Sequence, residues 1–441
     1  MEREIIETPR DYATLKETLK NSNPVDVAEG LEELDADQAI KLFRMLPKDN
    51  AAEVFAYLSR DMQQDIVNAI KDHEISRIVD ELFLDDAVDF IEEMPAGVVK
   101  RVLNNVPKDK RQIINDFLKY PEGSAGSIMT IEYVDLKEFL TVAQAFERIR
   151  RDGVDKETIY TCYVIDAERR LLGAVSAKTL LLASPGDKIG DIMERDVIFA
   201  STIDDKESIA NDFRKYGLLA MPVVDNEQRL VGIVTVDDVL EIQEEEATED
   251  FELMAAMSPS DEPYLKTSIW AMTRNRLPWL LLLMLTATIT GSIISGFEDA
   301  LAVMPVLVTF IPMLMDTGGN AGSQSSTLVI RGMALEEISP GDVFIVWWKE
   351  LRVSILCGLA LAAVNFGRVM LFDASASVAV SVSLALCATI ILSKSVGCLL
   401  PLFAKRIRLD PAVMASPVIT TIVDAGALLI FFGIAKAVLH I

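Results

Sequence analysis

The chain has 441 residues, of which 42 are Lys or Arg and 67 are Asp or Glu, so its formal net charge at pH 7 is -25. Residues 1–265 hold 30 basic and 57 acidic residues, whereas residues 266–441 hold 12 and 10. The acidic first part disfavours nucleic acid and anionic lipid as partners and favours cations. With only two His, and four Cys in no paired spacing, the sequence also argues against zinc sites and histidine-based hydrolase chemistry.

Residues 1–126 predict a series of short helices. Segments such as AAEVFAYLS, EISRIVDELF and DDAVDFIEEMP place apolar residues three and four positions apart, with Pro or polar breaks between them. Stacked helices of this kind predict an all-α, superhelical domain. The first twelve residues, MEREIIETPRDY, lack the apolar core of a signal peptide, so we expect this domain in the cytoplasm.

An internal repeat follows in residues 127–242. YVIDAERRLLGAVSAKTLL (163–181) aligns without gaps on PVVDNEQRLVGIVTVDDVL (222–240), at a spacing of 59 residues. Each copy predicts a strand, a polar turn, a second strand and a helix, an α+β arrangement. The pattern resembles a tandem pair of CBS domains, modules that often bind adenine nucleotides such as ATP.

The resemblance points to one candidate nucleotide site. Thr235 and Asp238 occupy positions where CBS modules often contact phosphate and ribose, and a carboxylate can accept hydrogen bonds from two ribose hydroxyls. The first copy has Ser176 and Thr179 instead, which argues against a nucleotide there.

Residues 243–268 predict an acidic linker helix that leads into the apolar part of the chain. The stretch EIQEEEATEDFELMAAM, at 241–257, is typical of a solvated helix, and it would also serve as a charged lever between a sensor and the membrane.

Residues 269–441 predict a transmembrane domain. Five apolar stretches reach the length of about 20 residues that a bilayer requires, at 277–297, 301–331, 352–372, 375–403 and 411–438. Basic residues cluster at alternate ends, including Arg274 and Arg276 before the first span and Lys405, Arg406 and Arg408 after the fourth. This distribution predicts a multi-pass protein of a bacterial inner membrane, with its N-terminus in the cytoplasm and its C-terminus outside.

Two carboxylates lie inside these spans, Asp316 in the second and Asp424 in the fifth. Asp316 adjoins a run rich in Gly, Ser, Asn, Gln and Thr from 317 to 327, which suits either a polar cavity wall or close helix packing. A charged side chain inside a membrane span costs free energy, so the presence of Asp424 in the fifth span indicates a functional role for this residue. Carboxylate, carbonyl and hydroxyl oxygens suit Mg²⁺ or Ca²⁺, and a symmetric homodimer would bring two copies of Asp424 together.

The order of these regions and the motifs PMLMDTGGNAGSQSSTLVIRG and SPVITTIVDAGALLIFF resemble the MgtE magnesium transporter/channel family. The resemblance implies a homodimer that imports Mg²⁺ through a pore and closes when cytosolic Mg²⁺ is high. It implies that Asp424 recognises the hydrated ion and that Ser416 lines the pore, at a position where the family can have Asn.

The same resemblance implies a set of carboxylates that bind regulatory Mg²⁺. They are Glu53, Asp85, Asp89, Glu207, Asp238, Glu241, Glu246, Glu249, Asp250 and Asp410. Gly217 stands where the family can have an acidic ligand, so one regulatory site is expected to be weaker or absent. The excess negative charge supports the assignment, because bridging divalent cations would draw mutually repelling domains together.

Three other functions are compatible with parts of the sequence. Similar oxygen chemistry could serve Co²⁺ or Mn²⁺ uptake instead of Mg²⁺ uptake. Asp316 and Asp424 could form an intramembrane aspartyl protease dyad, since MDTGG resembles the aspartic protease motif, but that chemistry gives no reason for a CBS pair. A membrane-anchored nucleotide sensor is the third. We therefore predict a transporter or channel rather than an enzyme.

Overall fold

The computed structural model describes residues 19–260, 264–265, 267–372, 375–414 and 416–440, with the side chains of residues 48, 49 and 416 left out. The chain divides into two compact units, residues 1–243 and residues 244–441.

Between residues 24 and 117, within the described part of the first unit, eight short helices follow one another, which confirms the predicted all-α domain. They are α1 (Pro24–Glu32), α2 (Ala36–Phe43), α3 (Lys48–Ala56), α4 (Arg60–Ala69), α5 (Asp72–Glu81), α6 (Leu84–Glu93), α7 (Ala96–Asn105) and α8 (Lys108–Phe117). Proline stands at the N-cap of α3, α7 and α8, where its missing N–H costs no hydrogen bond. The rings of Phe55 and Phe90 meet edge to face at 5.0 Å inside the apolar core that these helices share.

Two three-stranded sheets follow, one from each copy of the repeat. Their strands are β1 (Asp135–Leu136), β2 (Thr161–Ile165), β3 (Leu171–Ser176), β4 (Ala200–Ser201), β5 (Ala220–Val224) and β6 (Leu230–Thr235). In both copies the first strand pairs parallel with the second and the second pairs antiparallel with the third. Their helices are α9 (Val142–Asp152), α10 (Ala177–Leu182), α11 (Ile189–Ile192) and α12 (Lys206–Tyr216).

The two copies are joined at equivalent hairpin turns. Arg169 and Gln228, 59 positions apart, both have a positive φ, of 68° and 63°. The N–H of Leu171 donates to the Gln228 carbonyl at 3.1 Å, and the N–H of Leu230 donates to the Arg169 carbonyl at 2.9 Å. The repeat thus forms one paired body rather than two independent modules.

Helix α13 (Val236–Met254) begins at the residue after β6. The second CBS copy shares its apolar core with the N-terminal helices, and Ala125 and Gly126 donate backbone hydrogen bonds to Asp204 and Thr202 at 2.7 and 2.9 Å. This packing sets the start of α13 close to α6.

The second unit is a helical bundle. Its helices are α14 (Ile269–Gly296), α15 (Glu298–Val303), α16 (Ile311–Ala334), α17 (Val343–Phe372), α18 (Ala376–Arg406) and α19 (Ser416–Leu439). Within the described part of the chain, four segments are long and apolar enough to cross a membrane, namely Ile269–Gly296, Val343–Phe372, Ala376–Arg406 and Ala412–Leu439. They correspond to the first, third, fourth and fifth predicted spans.

The second predicted span differs from the others. It was expected over 301–331, but α16 begins at Ile311, after a 3₁₀ turn over Pro305–Phe310. Pro305 disfavours helical backbone at Met304, whose φ and ψ are -131° and 78°. The Gly, Ser and Asn content of α16 also keeps it outside the group of strongly apolar helices. That α16 crosses the membrane therefore stays a prediction.

Candidate cation sites

Helix α16 carries four of its larger polar side chains on one exposed face. Asp316, Asn320, Gln324 and Thr327 are spaced four, four and three residues apart, and all four are exposed in the single chain. We call these four residues the polar stripe. The buried face holds mainly glycine, serine and apolar side chains that pack against α18 and α19. The structure thus separates the polar run seen in the sequence into an exposed set and a packing set.

Glycines bring α16 close to the helix that carries Asp424. A Cβ on Gly318 would lie 2.9 Å from Val423 of α19, and one on Gly319 would lie 2.9 Å from Thr420. Asp424 itself is half-buried, next to Val423. A side chain at either glycine would therefore crowd α19. The backbone of α16 thus lies against the turn of α19 that precedes Asp424.

In the first unit, carboxylates from three parts of the chain lie near one another. They are Asp85, Asp86 and Asp89 of α6, Asp237, Asp238 and Glu241 of α13, and Glu132 and Glu157 of the first CBS copy. We call these eight residues the acidic cluster. Asp85 is buried, Asp86, Glu132, Glu157 and Asp238 are half-buried, and Asp89, Asp237 and Glu241 are exposed.

Burial and mutual repulsion raise the pKa values of this cluster. The pKa of Asp86 rises to about 7 because the group is buried and because Asp238 and Glu241 are nearby. Burial and the charges of Asp237 and Asp238 raise the pKa of Glu157 to about 8. Burial raises the pKa of Asp238 to about 6, although the Thr235 hydroxyl, 2.8 Å from its carboxylate, partly offsets this effect.

Such a cluster has the chemistry of a hard-cation site. Oxygen ligands suit Mg²⁺ and Ca²⁺, and a divalent cation would offset the repulsion that raises these pKa values. Among the residues that the structure describes, no group of three or more His, Cys, Asp or Glu is already arranged to hold a metal ion.

Comparison with known proteins supports a role in cation transport. Three family models match this chain: a divalent cation transporter domain over residues 311–434, an MgtE intracellular N domain over 22–123 and a CBS domain over 189–245. The magnesium transporter MgtE of Thermus thermophilus is 35% identical over 434 residues, which are 98% of this chain and 96% of that protein. The chain belongs to the MgtE family.

Other similar proteins also transport or conduct Mg²⁺ according to their names. The magnesium transporter MgtE of Bacillus subtilis is 32% identical over 98% of this chain and 94% of that protein. A crystal structure of the cytosolic domain of the Mg²⁺ channel MgtE in complex with ATP matches 53% of this chain and 95% of its own, with a TM-score of 0.50 and 35% identity. A crystal structure of the soluble part of a magnesium transporter has a TM-score of 0.53 and 27% identity over 56% of this chain and 98% of its own.

Membership of the MgtE family confirms the multidomain architecture, and the relatives matched over 98% of this chain are transporters rather than enzymes. Of the regulatory residues that the MgtE resemblance implied, the structure brings together Asp85, Asp89, Asp238 and Glu241. Glu53 is exposed on α3 and lies near Tyr57, whose pKa is raised mainly by burial and also by Asp86, Asp237 and Glu53.

The remaining predicted residues lie on other elements or further along α13. Glu207 is in the first turn of α12. Glu246, Glu249 and Asp250 follow on α13, in the second unit. Asp410 accepts a hydrogen bond from the N–H of Ala412 at 2.7 Å, before α19. The side chain of Ser416 lies outside the described residues.

Gly217 has a structural reason to lack a side chain. It ends α12 with a φ of 64°, in the left-handed region that glycine adopts most readily. A residue with a side chain would be strained at this helix end, and the weaker or absent regulatory site there stays a prediction.

Four members of the acidic cluster were missed from the sequence. Asp86 and Asp237 directly adjoin the predicted Asp85 and Asp238, so the two Asp-Asp pairs in the sequence could have indicated them. Glu132 and Glu157 lie 43 to 109 positions away from the cluster residues of either helix and carry no motif. Only the packing of the first CBS copy brings them to the cluster.

A separate cavity of 320 Å³ lies between the two CBS copies. Its lining includes Ser176, Thr179 and Tyr163, and it does not include Thr235 or Asp238. The Tyr163 hydroxyl is buried and has no hydrogen-bond partner among the described residues. Thr235 is instead buried, with its hydroxyl bonded to Asp237 and Asp238.

Proposed function

We propose that this chain imports Mg²⁺ across a bacterial inner membrane as a homodimer, and that Mg²⁺ bound to its cytosolic domains closes the path. Support for the ion comes from the relatives, which are named magnesium transporters. Support for the path comes from the polar stripe, because polar side chains at membrane depth need water or protein beside them rather than lipid. The polar stripe is the observation that carries the proposal.

The path is proposed to run between two copies of the chain, with α16 and Asp424 as its wall. Mg²⁺ gives up its water reluctantly, so amide, hydroxyl and carboxylate oxygens that hold the hydrated ion suit conduction better than a tight cage. Asn320, Gln324 and Thr327 supply neutral oxygens, and Asp316 and Asp424 supply charge. Co²⁺ or Mn²⁺ remains the alternative cargo, because the same oxygens would accept them.

Mg²⁺ binding at the acidic cluster is proposed to close the ion path. In the absence of divalent cations, carboxylates of α6, α13 and the first CBS copy repel one another, as the raised pKa values of Asp86, Asp238 and Glu157 indicate. A bound Mg²⁺ would favour a state in which these elements lie closer together, and a ligand shifts a population by its difference in affinity for the two states. Rising cytosolic Mg²⁺ would then reduce its own uptake.

The deciding experiment measures ²⁸Mg²⁺ or dye-reported Mg²⁺ flux into liposomes that contain the purified protein. We expect Asp424→Ala to reduce flux at least tenfold at low internal Mg²⁺. Asp299→Asn is the matched control, since Asp299 is exposed on the short helix α15 and should leave flux unchanged. Flux that is equal in wild type and Asp424→Ala would refute the proposed path, and wild-type flux that persists at millimolar internal Mg²⁺ would refute the proposed closure.

A second function, adenine-nucleotide binding, is supported by the cavity between the CBS copies. A relative's cytosolic domain was crystallised with ATP, and the cavity offers hydroxyls from Ser176, Thr179 and Tyr163. Calorimetric titration of ATP into the full chain would test both candidate positions. Binding abolished by Thr179→Trp and retained in Thr235→Val would place the nucleotide in the cavity, and the opposite pattern would place it at Thr235 and Asp238, as predicted from the sequence.

A further inference from the structure

Three polar side chains from three different helices meet inside the membrane bundle. Ser325 of α16 donates a hydrogen bond to a Glu350 carboxylate oxygen of α17 at 2.6 Å. The Lys394 ammonium of α18 donates to the Ser325 hydroxyl at 3.2 Å and lies 3.8 Å from the same Glu350 oxygen. The serine hydroxyl therefore bridges a cation and an anion, and we call these residues the buried triad.

The buried triad is almost fully removed from solvent. The side chains of Lys394 and Glu350 are 7% and 14% exposed, and Ser325 is fully buried. Taking both charges out of water is costly, and apolar residues of similar volume often stabilise a core as well or better. Burial of this kind within a membrane bundle therefore points to a role other than stability.

The buried triad lies on the opposite face of α16 from the polar stripe. Ser325 directly follows Gln324, which is exposed, while Ser325 itself points into the bundle. Ser325 is also seven residues, or about 10 Å of helix, beyond Gly318, which packs on Val423 next to Asp424. A rotation or slide of α16 at Ser325 would thus move the polar stripe relative to Asp424.

The glycine face of α16 contributes few interlocking side chains of its own. Gly318, Gly319 and Gly322 place its backbone against α18 and α19, where the Ser393 hydroxyl of α18 donates a hydrogen bond to the Gly318 carbonyl. Interlocking ridges and grooves normally set the register of packed helices. A hydrogen bond to a charged group is directional and specifies one register. The buried triad adds such a charged contact to the Ser393–Gly318 hydrogen bond on the glycine face of α16.

We infer that Ser325, Glu350 and Lys394 are positioning residues for ion conduction, which hold α16 in the one rotation and height that set the polar stripe level with Asp424. The inference rests on the proposed path, since it assigns these residues a part in the same function. None of the three needs to touch the ion. They affect flux and the discrimination between ions because they position α16.

Ser325→Ala is the primary test and Ser326→Ala is its matched control. Both serines are fully buried on adjacent positions of α16, but the Ser326 hydroxyl has no hydrogen-bond partner among the described residues. Liposome flux of Mg²⁺ and of Co²⁺ would be measured for each variant beside its thermal unfolding. We expect Ser325→Ala to reduce Mg²⁺ flux about tenfold and to change the Mg²⁺/Co²⁺ flux ratio, with both quantities unchanged in Ser326→Ala.

Charge variants supply the second arm. Glu350→Gln and Lys394→Met each leave a buried charge without its partner, so they are expected to lose flux and unfold at lower temperature. The exchange Glu350→Lys with Lys394→Glu restores opposite charges, and we expect it to recover at least a third of the wild-type flux. Lys405→Met, at an exposed position near the end of α18, is the control for loss of one positive charge.

Two outcomes would overturn the inference. One is a folded Ser325→Ala protein with wild-type flux and wild-type Mg²⁺/Co²⁺ ratio. The other is a folded double variant, Glu350→Met with Lys394→Met, with the Mg²⁺ flux and the Mg²⁺/Co²⁺ ratio of the wild type. That result would show that the buried triad contributes only to packing. Failure of the proposed path has a different signature, namely unchanged flux in Asp424→Ala whatever the triad variants do.

Discussion

Gly397 of α18 lies so close to the backbone of Gly322 of α16 that a Cβ at position 397 would collide with the Gly322 carbonyl group. This contact predicts that Gly397→Ala is poorly tolerated. Overpacking of this kind costs about 1 to 3 kcal/mol, and because the obstacle is backbone, α16 itself must shift. We expect a lower unfolding temperature and at least a tenfold loss of Mg²⁺ flux.

Gly433 of α19 provides the control for this substitution. A Cβ there would meet no atom within 4 Å in the single chain, so Gly433→Ala should unfold and conduct as the wild type does. Equal stability of the Gly397 and Gly433 variants would contradict the close approach of α16 and α18.

The polar stripe predicts that a substitution within it reduces Mg²⁺ flux more than a substitution of a neighbouring exposed residue on α16. Asn320→Leu replaces an exposed amide with an apolar side chain of similar size, so we expect Mg²⁺ flux to fall about tenfold with little change in unfolding temperature. Leu328→Ala alters an exposed apolar side chain of the same helix, 67% exposed, and should leave flux within a factor of two. Similar flux in both variants would argue against the polar stripe as the wall of the path.

The acidic cluster predicts that protons and Mg²⁺ compete. Because the pKa values of Asp238, Asp86 and Glu157 are about 6, 7 and 8, these groups take up protons as the pH falls from 8 to 6. The Mg²⁺ concentration that half-closes the path should therefore rise as the pH falls over this range. Flux titrations at fixed pH values would measure it, and a midpoint independent of pH would contradict the assignment.

The same pKa values predict how stability depends on pH without divalent cations. A carboxyl group whose pKa is higher in the folded than in the unfolded protein binds protons more tightly when folded. Its stabilising effect is present below the unfolded value, about 4, and is lost as the pH rises through the folded value. The free energy of unfolding of the first unit should thus decrease between pH 4 and 8 in EDTA, and added Mg²⁺ should restore it most at pH 8.

Asp86, which the sequence motifs did not single out, gives the sharpest single test of the cluster. Asp86→Asn removes a repelled, half-buried charge, so at pH 8 without Mg²⁺ it should stabilise the protein by about 1 to 2 kcal/mol once solvent screening is allowed for. It should also weaken the response of flux to internal Mg²⁺. Asp61→Asn, at an exposed position on α4, is the control and should change neither quantity.

The sequence predicted the order of elements because their signals are local. The period of the short N-terminal helices, the 59-residue repeat and four of the long apolar spans each depend on residues close together in the chain. The start of α16 was placed ten residues too early, since hydropathy continues through 301–310 while Pro305 breaks the helix. Composition records how apolar a segment is but not where its backbone turns.

The sites were predictable only in part, because they are assembled from distant segments. The family resemblance indicated Asp85, Asp89, Asp238 and Glu241 of the acidic cluster, but no pattern linked them to Glu157. Lys394 was visible as a charge in a span, whereas its partners Glu350 and Ser325 are 44 and 69 positions away. Pairing at such separations is decided by helix packing, which one sequence alone does not reveal.

The exposed polar stripe has a consequence for how the protein completes its folding. A single chain in a bilayer would leave Asp316, Asn320, Gln324 and Thr327 facing hydrocarbon, where polar groups are strongly disfavoured. In the proposed homodimer this surface would be covered, so subunit assembly and stability in the membrane would form one equilibrium governed by mass action. Dilution of the protein in excess lipid should therefore lower its unfolding temperature, even though no residue has changed.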